Sequence, residues 1–205
     1  MIQYPKNYIV WDLETSGLNP GEDDVLEIGY AVIVDGKVSH TSSMLLDHGI
    51  EISETTTKLT GITKQKIDID GTFPEKALKD LVNAIGNLPH ITHNGLKFDI
   101  PFLIAALHKT SIDIPDIESF HKKLLKNMID TAVLFKAKKA GRMRRFNETF
   151  EEFGNRVMEE RIYGLKYNVK VCCEELGIEL TEQHRALSDV LLTNQIYQKL
   201  CLQPL

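Results

Sequence analysis

A hairpin pattern near the start of the chain most constrains the fold. Two candidate strands, Val25–Val34 and Lys37–Leu46, are separated only by Asp35-Gly36, and an Asp-Gly pair between two strands is typical of a tight hairpin turn. A shorter apolar run with β-branched and aromatic residues, Tyr8–Glu14, precedes them and predicts another strand. We therefore predict an antiparallel meander of three strands.

Helical and strand patterns alternate along the rest of the chain. At 205 residues, one domain spanning residues 1–205 is expected. Thr55–Lys66 is short and mixed, and the pattern assigns it no element. The predicted helices are Pro74–Ile85, Lys97–His108, Val169–Leu176 and Ala186–Leu200, and the predicted short strands are His90–His93 and Asn127–Asp130. A meander followed by alternating helix and strand predicts an α/β fold, with helices on both faces of a mixed sheet.

One stretch, residues 138–162, is predicted to be an inserted elaboration of this domain. It begins inside a basic run, in which six of the ten residues from Lys136 to Arg145 are Lys or Arg. The apolar positions that follow repeat at helical spacing and predict a helix that packs on the body of the protein. These positions are Phe146, Phe150, Phe153 and Val157.

Two acidic residues stand at the end of the first predicted strand. Residues two apart in a strand point to the same face, so Asp12 and Glu14 project side by side from an otherwise apolar strand. Like charges that are close together and partly removed from water favour a bound proton or a cation between them. A hard divalent cation with oxygen ligands fits this arrangement. The alternative is a solvated strand end that leads into the turn at Gly17–Gly21.

Two further acidic positions occur near helix starts. Asp99 falls in the first turn of the second predicted helix, where the helix dipole alone would favour it. Asp189 shares a helix face with Leu192 and Ile196, and a carboxylate beside a core stripe is unusual unless it is paired or metal-bound. His184 lies just ahead of that helix and is expected to reach the same site, with a surface loop histidine as the alternative.

Taken together, these segments resemble the motifs of the DEDDh exonucleases, the DnaQ-like superfamily that includes the proofreading subunit of bacterial replicative polymerases. The resemblance covers nearly the whole chain outside residues 138–162. The three main motifs match Asp12-Leu13-Glu14-Thr15, the stretch from His93 to Asp99, and the stretch from His184 to Asp189. Smaller similarities are Leu26-Glu27-Ile28-Gly29, Leu59-Thr60-Gly61-Ile62-Thr63, and Asp130-Thr131 followed by a helix.

The resemblance implies both a fold and an activity. The fold would be an α/β, ribonuclease H-like fold, with a five-stranded mixed sheet (an antiparallel meander of three strands plus two parallel strands) flanked by helices. The activity would be a 3′→5′ exonuclease that releases nucleoside 5′-monophosphates by using two Mg²⁺ or Mn²⁺ ions. Asp12, Glu14, Asp99 and Asp189 would be the metal ligands, with Asp12 bridging the two ions. His184 would be the general base, because its pKa lies near neutrality.

Further residues are expected to contact the terminal nucleotides. The candidates are Thr15 and Leu18 at the 3′ end, Leu59 and Ile62 as a wedge against the terminal bases, Asn94 near the scissile phosphate, and Phe98 as a stacking face. For each of them, a role in the core or in a turn is the alternative.

The charge distribution adds three candidates. The net charge of −5 is unusual for a protein that binds a polyanion, but bound cations would offset a carboxylate site. A local basic patch is therefore expected to attract the substrate. Its members in the basic run are Arg142, Arg144 and Arg145, with a solvated loop or helix end as the alternative.

The sequence also limits location and partners. No apolar run reaches the roughly 18–20 residues that span a bilayer, and the first residues do not have the pattern of a signal peptide. The three cysteines, Cys172, Cys173 and Cys201, do not have the spacing of a disulfide framework. We therefore expect a cytoplasmic protein with no membrane partner.

The expected substrate is the 3′ end of a nucleic acid. Single-stranded or frayed DNA is favoured, because the Glu-Thr-Ser-Gly of the first motif is closer to the DNA proofreading and repair branch than to the oligoribonuclease branch. A polymerase partner is a further expectation. Two alternatives stay open: an exoribonuclease that trims RNA, and a non-catalytic nucleic-acid-binding module. The second is disfavoured because all four acids and the histidine are present.

Overall fold

One mixed sheet forms the centre of the fold. A computed structural model of the chain describes residues 5–112, 114, 116–180 and 185–202. The strands are β1 (Tyr8–Thr15), β2 (Val25–Val34), β3 (Lys37–Leu45), β4 (His90–Thr92) and β5 (Met128–Asp130), and their order in the sheet is β3-β2-β1-β4-β5. β1, β2 and β3 are antiparallel neighbours, whereas β4 and β5 run parallel to β1. The predicted five-stranded sheet is thus confirmed.

The turn between β2 and β3 has the predicted conformation. Asp35 and Gly36 both have positive φ, 50° and 76°, as a two-residue turn of this hand requires. Val34 pairs with Lys37 directly outside the turn. β3 ends at Leu45, one residue earlier than predicted, and Leu46 instead bridges to Thr72.

Helices cover both faces of the sheet. They are α1 (Glu54–Thr60), α2 (Lys64–Asp70), α3 (Pro74–Ile85), α4 (Asp99–Lys109), α5 (Ile117–Asn127), α6 (Thr131–Ala140), α7 (Phe150–Glu159), α8 (Val169–Leu176) and α9 (Ala186–Leu202). Within the described ranges, none of them combines the length and apolar character needed to cross a membrane.

The predicted helices are confirmed, with shifted ends in two cases. α3 and α8 have the predicted bounds, α9 extends to Leu202, and α4 begins at Asp99 instead of Lys97. The unassigned stretch 55–66 contains parts of α1 and α2. α5 was not predicted, because Leu124 is its only fully buried residue and its sequence is mostly polar.

Alternating residues of β1 face two different layers. Ile9, Trp11 and Leu13 belong to the core under α3 and α4. Tyr8 and Val10 point to the other face, where they pack with Val190 and Tyr197 of α9. Because side chains alternate along a strand, Asp12 and Glu14 also lie on the face that α9 covers.

The stretch 138–162 comprises the end of α6, an exposed loop and α7. Phe153 and Val157 of α7 pack against Val133 and Ala137 of α6, which confirms the predicted helix from residue 150 onward. The expectation for Phe146 is wrong, since this residue precedes α7 and its side chain is 95% exposed. That this stretch is an insertion into a single domain stays a prediction.

Candidate active site

Three carboxylates from opposite ends of the chain converge beside β1. The ligand oxygens of Asp12, Glu14 and Asp189 lie within 4.8 Å of one another. Asp12 and Glu14 project from the carboxyl end of β1, and Asp189 lies in the first turn of α9. All donors in this group are carboxylate oxygens, the ligands that Mg²⁺ and Mn²⁺ favour. The acidic cluster therefore fits a divalent metal site.

Asp99 lies against the same strand and lines the same cavity. Its side chain is buried at the start of α4, and its Oδ1 accepts a hydrogen bond of 3.1 Å from the backbone N–H of Leu13. Leu13 stands between Asp12 and Glu14 in sequence. The bond therefore fixes one oxygen of Asp99 to the strand that carries the two other acids. Asp99 is the fourth acid that lines the cavity shared by Asp12, Glu14 and Asp189.

A buried aspartate builds the turn that presents Asp99. The carboxylate of Asp130, at the end of β5, accepts hydrogen bonds from the backbone N–H groups of Asn94 (2.9 Å) and Leu96 (3.0 Å). Asn94 adopts a left-handed conformation with φ of 65°. Asp130 also caps α6 through Ala132 N–H at 2.9 Å. One side chain thus joins the turn before α4 to the start of α6.

The start of α9 is held to β2 by a second buried acid. Glu27 is fully buried and forms a two-contact ion pair with Arg185, in which Nε and Nη2 each lie 3.0 Å from a carboxylate oxygen. Glu27 also accepts a hydrogen bond of 3.3 Å from Ala186 N–H. It pairs directly with Glu14 across the β1–β2 ladder. We call Glu27 and Arg185 the β2–α9 clamp.

A glycine brings the same helix end close to the sheet. A Cβ on Gly29 would lie 2.5 Å from the carbonyl carbon of Ala186 and 2.6 Å from the N of Leu187. Both are backbone atoms, so no change of rotamer would relieve the contact. Gly29 therefore allows the first turn of α9, which includes Asp189, to lie directly on β2.

Burial and mutual repulsion dominate the electrostatics of the acids. Burial, followed by the charges of Asp99, Glu14 and Asp189, raises the pKa of Asp12 well above its usual value. Burial is also the first cause for Glu14, whose pKa rises to about 8, and for Asp99, whose pKa rises to about 7. Without a cation, the site therefore holds protons near neutral pH. A bound cation would remove this repulsion.

The acids line a cavity of about 800 Å³. Its far wall is formed by residues 165–170, which sequence reasoning had not selected. Lys166 and Lys170 provide exposed cations there, and the backbone carbonyl of Tyr167 accepts a hydrogen bond of 2.8 Å from His93 Nε2. The signal was present in the sequence as two lysines four residues apart beside the N-cap Asn168, but it lies outside the basic run.

The predicted contacts to the terminal nucleotide divide into three groups. Asn94 and Phe98 line the cavity with the acids. Leu18 and Leu59 do not line it, but they are 84% and 59% exposed. Thr15 is nearly buried, and its hydroxyl donates to the carbonyl of Gly17 at 2.6 Å, which is the turn role given as the alternative.

Ile62 does not have the predicted wedge position. Its side chain is 0% exposed and packs with Leu26 and Ile67 beneath α1 and α2. The structure shows the core role that was given as the alternative, because α2 brings Ile67 against this side chain. The side chain of Ile62 is therefore part of the core and unavailable to a nucleic acid.

The basic run does not face the acidic cavity. Arg142 forms an ion pair with Glu160, Lys139 forms one with Glu175, and Lys136 is buried with its Nζ bonded to the carbonyl of Met158. Arg144 lines a separate cavity, and Arg145 is exposed in the loop before α7. The structure thus brings none of the predicted Arg142, Arg144 and Arg145 to the carboxylates. Local acidic partners neutralise much of the run.

The predicted general base, His184, lies outside the described residues. The described chain resumes at Arg185, whose side chain is fixed by the β2–α9 clamp.

The sheet order, the helices on both faces and the acidic end of β1 define a class of protein. This class is the nucleases with a ribonuclease H-like fold, in which carboxylates at one end of the central strands bind divalent metal.

The chain belongs to the RNase_T exonuclease family, whose model matches residues 9–197. It is 27% identical over 191 residues to a PolC-type DNA polymerase III of Thermotoga petrophila, and the match covers 93% of this chain and 11% of that protein. It is 24% identical over 193 residues to the 3′-5′ exonuclease DinG of Bacillus subtilis, covering 94% of this chain and 17% of that protein. The chain thus spans less than a fifth of the length of these relatives.

Solved structures have the same fold. A zinc-bound complex of E. coli exonuclease I with single-stranded DNA superposes with a TM-score of 0.74 at 15% identity, covering 98% of this chain and 41% of that one. These comparisons confirm the resemblance to the DnaQ-like exonucleases and the ribonuclease H-like fold.

Proposed function

We propose that this chain is a metal-dependent 3′→5′ exonuclease that hydrolyses the terminal phosphodiester of single-stranded or frayed DNA and releases nucleoside 5′-monophosphates. The observation that supports this most directly is the convergence of Asp12, Glu14 and Asp189 within 4.8 Å. Asp99 lines the same cavity. Similarity to relatives named as 3′-5′ exonuclease and DNA polymerase supports the polarity and the choice of DNA.

The donor set suits two Mg²⁺ or Mn²⁺ ions. The four acids offer only hard oxygen ligands. Burial and mutual repulsion raise the pKa values of Asp12, Glu14 and Asp99, and a bound cation would relieve this repulsion. Asp12, on which the charges of the three other acids act, would hold the ions together with them. When bound, such ions would supply Lewis-acid activation of water and neutralise charge on the phosphate.

Residues of the chain would position the scissile phosphate and handle the proton. Water attacks the phosphorus of the terminal phosphodiester, the bond from this phosphorus to the 3′ oxygen breaks, and the 3′ oxygen takes up a proton from the solvent. His184 would take the proton from the attacking water, a role that suits a group with a pKa near neutrality. The β2–α9 clamp supports this proposal because it fixes Arg185, the next residue in the chain.

The cavity walls suit a nucleotide with its phosphate. Lys166 and Lys170 provide positive charge for the backbone, and Asn94 presents an amide beside the acids. Phe98 is half-buried, packs against Phe102 and leaves part of its ring to the cavity, where a base could stack.

Two exposed leucines would provide further contacts for the terminal nucleotides. Leu18 and Leu59 are exposed on segments that a hydrogen bond of 3.0 Å from Thr56 to the carbonyl of Ser16 ties together. Apolar contact of these side chains with the terminal bases is part of the proposal. Thr15 would act only by shaping the turn.

A time course of nucleotide release tests the proposal. Matched 3′-labelled DNA and RNA oligonucleotides are incubated with Mg²⁺, Mn²⁺ or EDTA, and the products are separated by size and identified. The expected result is stepwise, metal-dependent release of 5′-monophosphates, faster from DNA than from RNA. Asp12→Asn should remove activity, because one bridging carboxylate is lost.

Each alternative gives a different outcome. Faster release from RNA would favour the exoribonuclease, and binding without release in any metal would favour the non-catalytic module. Near-wild-type turnover of His184→Ala would contradict the general-base assignment but leave the metal site intact. Co-purification with a polymerase would test the polymerase partner, which stays a prediction.

A further inference from the structure

A cavity of about 1120 Å³ lies at the other end of the sheet from the acids. It is lined by the residues that precede β1, β4 and β5, namely Asn7, Pro89 and Asn127. These strands are parallel, so the acidic site lies at their carboxyl ends and this cavity at their amino ends. Along β1, residues 8 and 12 are separated by about 13 Å. We call this cavity the distal groove.

The distal groove is lined by positive charge that is not engaged in salt bridges. Lys6, Lys122, Lys126 and Arg144 line it, and none of the four forms a salt bridge with another described residue. They come from three separate segments: the chain before β1, α5 and the loop after α6. The charge is thus distributed around the groove instead of concentrated on one helix face.

Acidic residues in the groove only partly offset these cations. Asp35, Glu148 and Glu151 also line it. Glu148 is neutralised by Arg156, whose Nε and Nη2 lie 2.7 Å and 2.8 Å from its carboxylate oxygens. Four cations therefore face two uncompensated acids, in a protein whose net charge is −5. An anionic ligand is favoured at this place although the whole molecule is acidic.

We propose that the distal groove binds the phosphate backbone of the same nucleic-acid strand whose 3′ end occupies the acidic cavity. This proposal rests on the proposed function and adds a second anchoring site to it. Phe146 lies in the loop between two groove residues, Arg144 and Glu148, and its ring is 95% exposed. Exposed aromatic rings beside cations suit unpaired bases next to phosphates. A single-stranded nucleic acid is therefore favoured as the ligand of the groove, and an acidic protein is not.

α7 connects the two sites along the surface. Its first residues, with the N-cap Thr149, line the distal groove. One turn further along, Asn155 accepts a hydrogen bond of 2.8 Å from Lys97, which is adjacent to Phe98 of the acidic cavity. A strand that leaves the acidic cavity beside Phe98 would therefore follow α7 to the groove. Short oligonucleotides would end before they reach it.

The test compares oligonucleotides of two lengths. Lys6→Gln, Lys122→Gln and Lys126→Gln are combined, since all three side chains are exposed and their loss should not affect folding. Binding is measured by fluorescence anisotropy with DNA of about 4 and about 20 nucleotides, in an Asp12→Asn background that prevents cleavage. The matched control combines Lys76→Gln, Lys79→Gln and Lys199→Gln, which change the net charge equally but lie outside both cavities.

The proposal predicts a loss that depends on length. The groove variant should bind the long DNA about tenfold more weakly, and the slope of log K against log salt should fall by about 2, at ~0.7 per lost contact with a single strand. Affinity for the short DNA should stay unchanged, and the control should change neither. The proposal would be overturned if the groove variant lost affinity equally for both lengths of DNA, or lost none. It would also be overturned if binding of the long DNA did not depend on salt and only an acidic peptide displaced it.

Failure of the proposed function gives a different result. If the protein with native Asp12 releases no nucleotide in any metal, but the length-dependent loss of binding persists, the groove stands and the exonuclease assignment fails.

Discussion

Replacement of Glu14 by glutamine should stabilise the metal-free protein while it removes the activity. Glu14 shares a largely buried site with Asp12, Asp99 and Asp189, and the nearby charge of Arg185 only partly offsets their repulsion. Glutamine has nearly the same shape and keeps an oxygen, but it carries no charge. The substitution therefore isolates the free-energy cost of keeping the charge of Glu14 in the metal-free site.

The size and sign of the effect follow from the pKa of Glu14, which rises from 4.5 to about 8 on folding. A carboxyl with a raised folded-state pKa costs no stability below the unfolded pKa, where both states are protonated. Between 4.5 and about 8 the cost grows with pH by ~1.36 kcal/mol per unit, and above that it is constant. At pH 7.5 the upper limit is about 4 kcal/mol. Because the four acids share this repulsion, we expect Glu14→Gln to raise the free energy of unfolding by about 2 kcal/mol at pH 7.5.

Thermal unfolding in EDTA measures this difference. For a protein of this size, about 2 kcal/mol corresponds to a rise in Tm of roughly 4–8 °C at pH 7.5, and the difference should vanish at pH 4.5. Saturating Mn²⁺ should reverse the order, because the wild-type site binds the ion more tightly and gains more stability. The matched control is Glu22→Gln, an exposed glutamate in a turn, which should leave Tm unchanged.

Two results would refute the reasoning. If Glu14→Gln destabilises the metal-free protein at pH 7.5, the charge of Glu14 is compensated by a group of the protein. If the stabilisation is equally large at pH 4.5, its cause is not ionisation.

Three further outcomes are expected. Arg185→Gln, which breaks the β2–α9 clamp, should lower the free energy of unfolding in urea by about 1–3 kcal/mol and weaken Mn²⁺ binding in calorimetric titration. Arg185→Lys should restore only part of the stability and of the Mn²⁺ affinity, because an ammonium cannot make both contacts. Gly29→Ala should destabilise by about 1–3 kcal/mol and lower kcat, because its Cβ would meet the backbone of Ala186, whereas Gly21→Ala should be near neutral in both assays. Burial lowers the pKa of His90 to about 4. The free energy of unfolding should therefore be highest above about pH 6.5, where His90 is neutral in both states, and should fall by up to about 3 kcal/mol between there and pH 4. His90→Gln should flatten this part of the wild-type stability profile.

The meander and the acids of β1 could be predicted because their signals are local. Asp35-Gly36 specifies its turn through its own backbone conformation, and the spacing of Asp12 and Glu14 fixes their common face once β1 is a strand. The pairing of the acids with Asp189 could be predicted only through family resemblance, because no local pattern brings β1 and α9 together.

Other features depend on contacts that a linear pattern does not contain. Ile62 looks like a surface residue until α2 folds over it. The basic run looks like a charged patch until Glu160 and Glu175 pair with its members. Lys6 is far in the sequence from Lys122 and Lys126, and only the parallel arrangement of β1, β4 and β5 brings all three to one groove.

The β2–α9 clamp also has a consequence for the order in which the protein forms during synthesis. Glu27 and Arg185 are separated by 158 residues, whereas the hairpin closes through neighbouring residues as soon as both strands leave the ribosome. Closing so long a loop costs entropy that later contacts must offset. Asp12 and Glu14 are therefore synthesised early, but the site that they form with Asp189 is completed late. A nascent chain carries Asp12 and Glu14 before Asp189, so under the proposed function it stays harmless to nearby nucleic acid until α9 has docked.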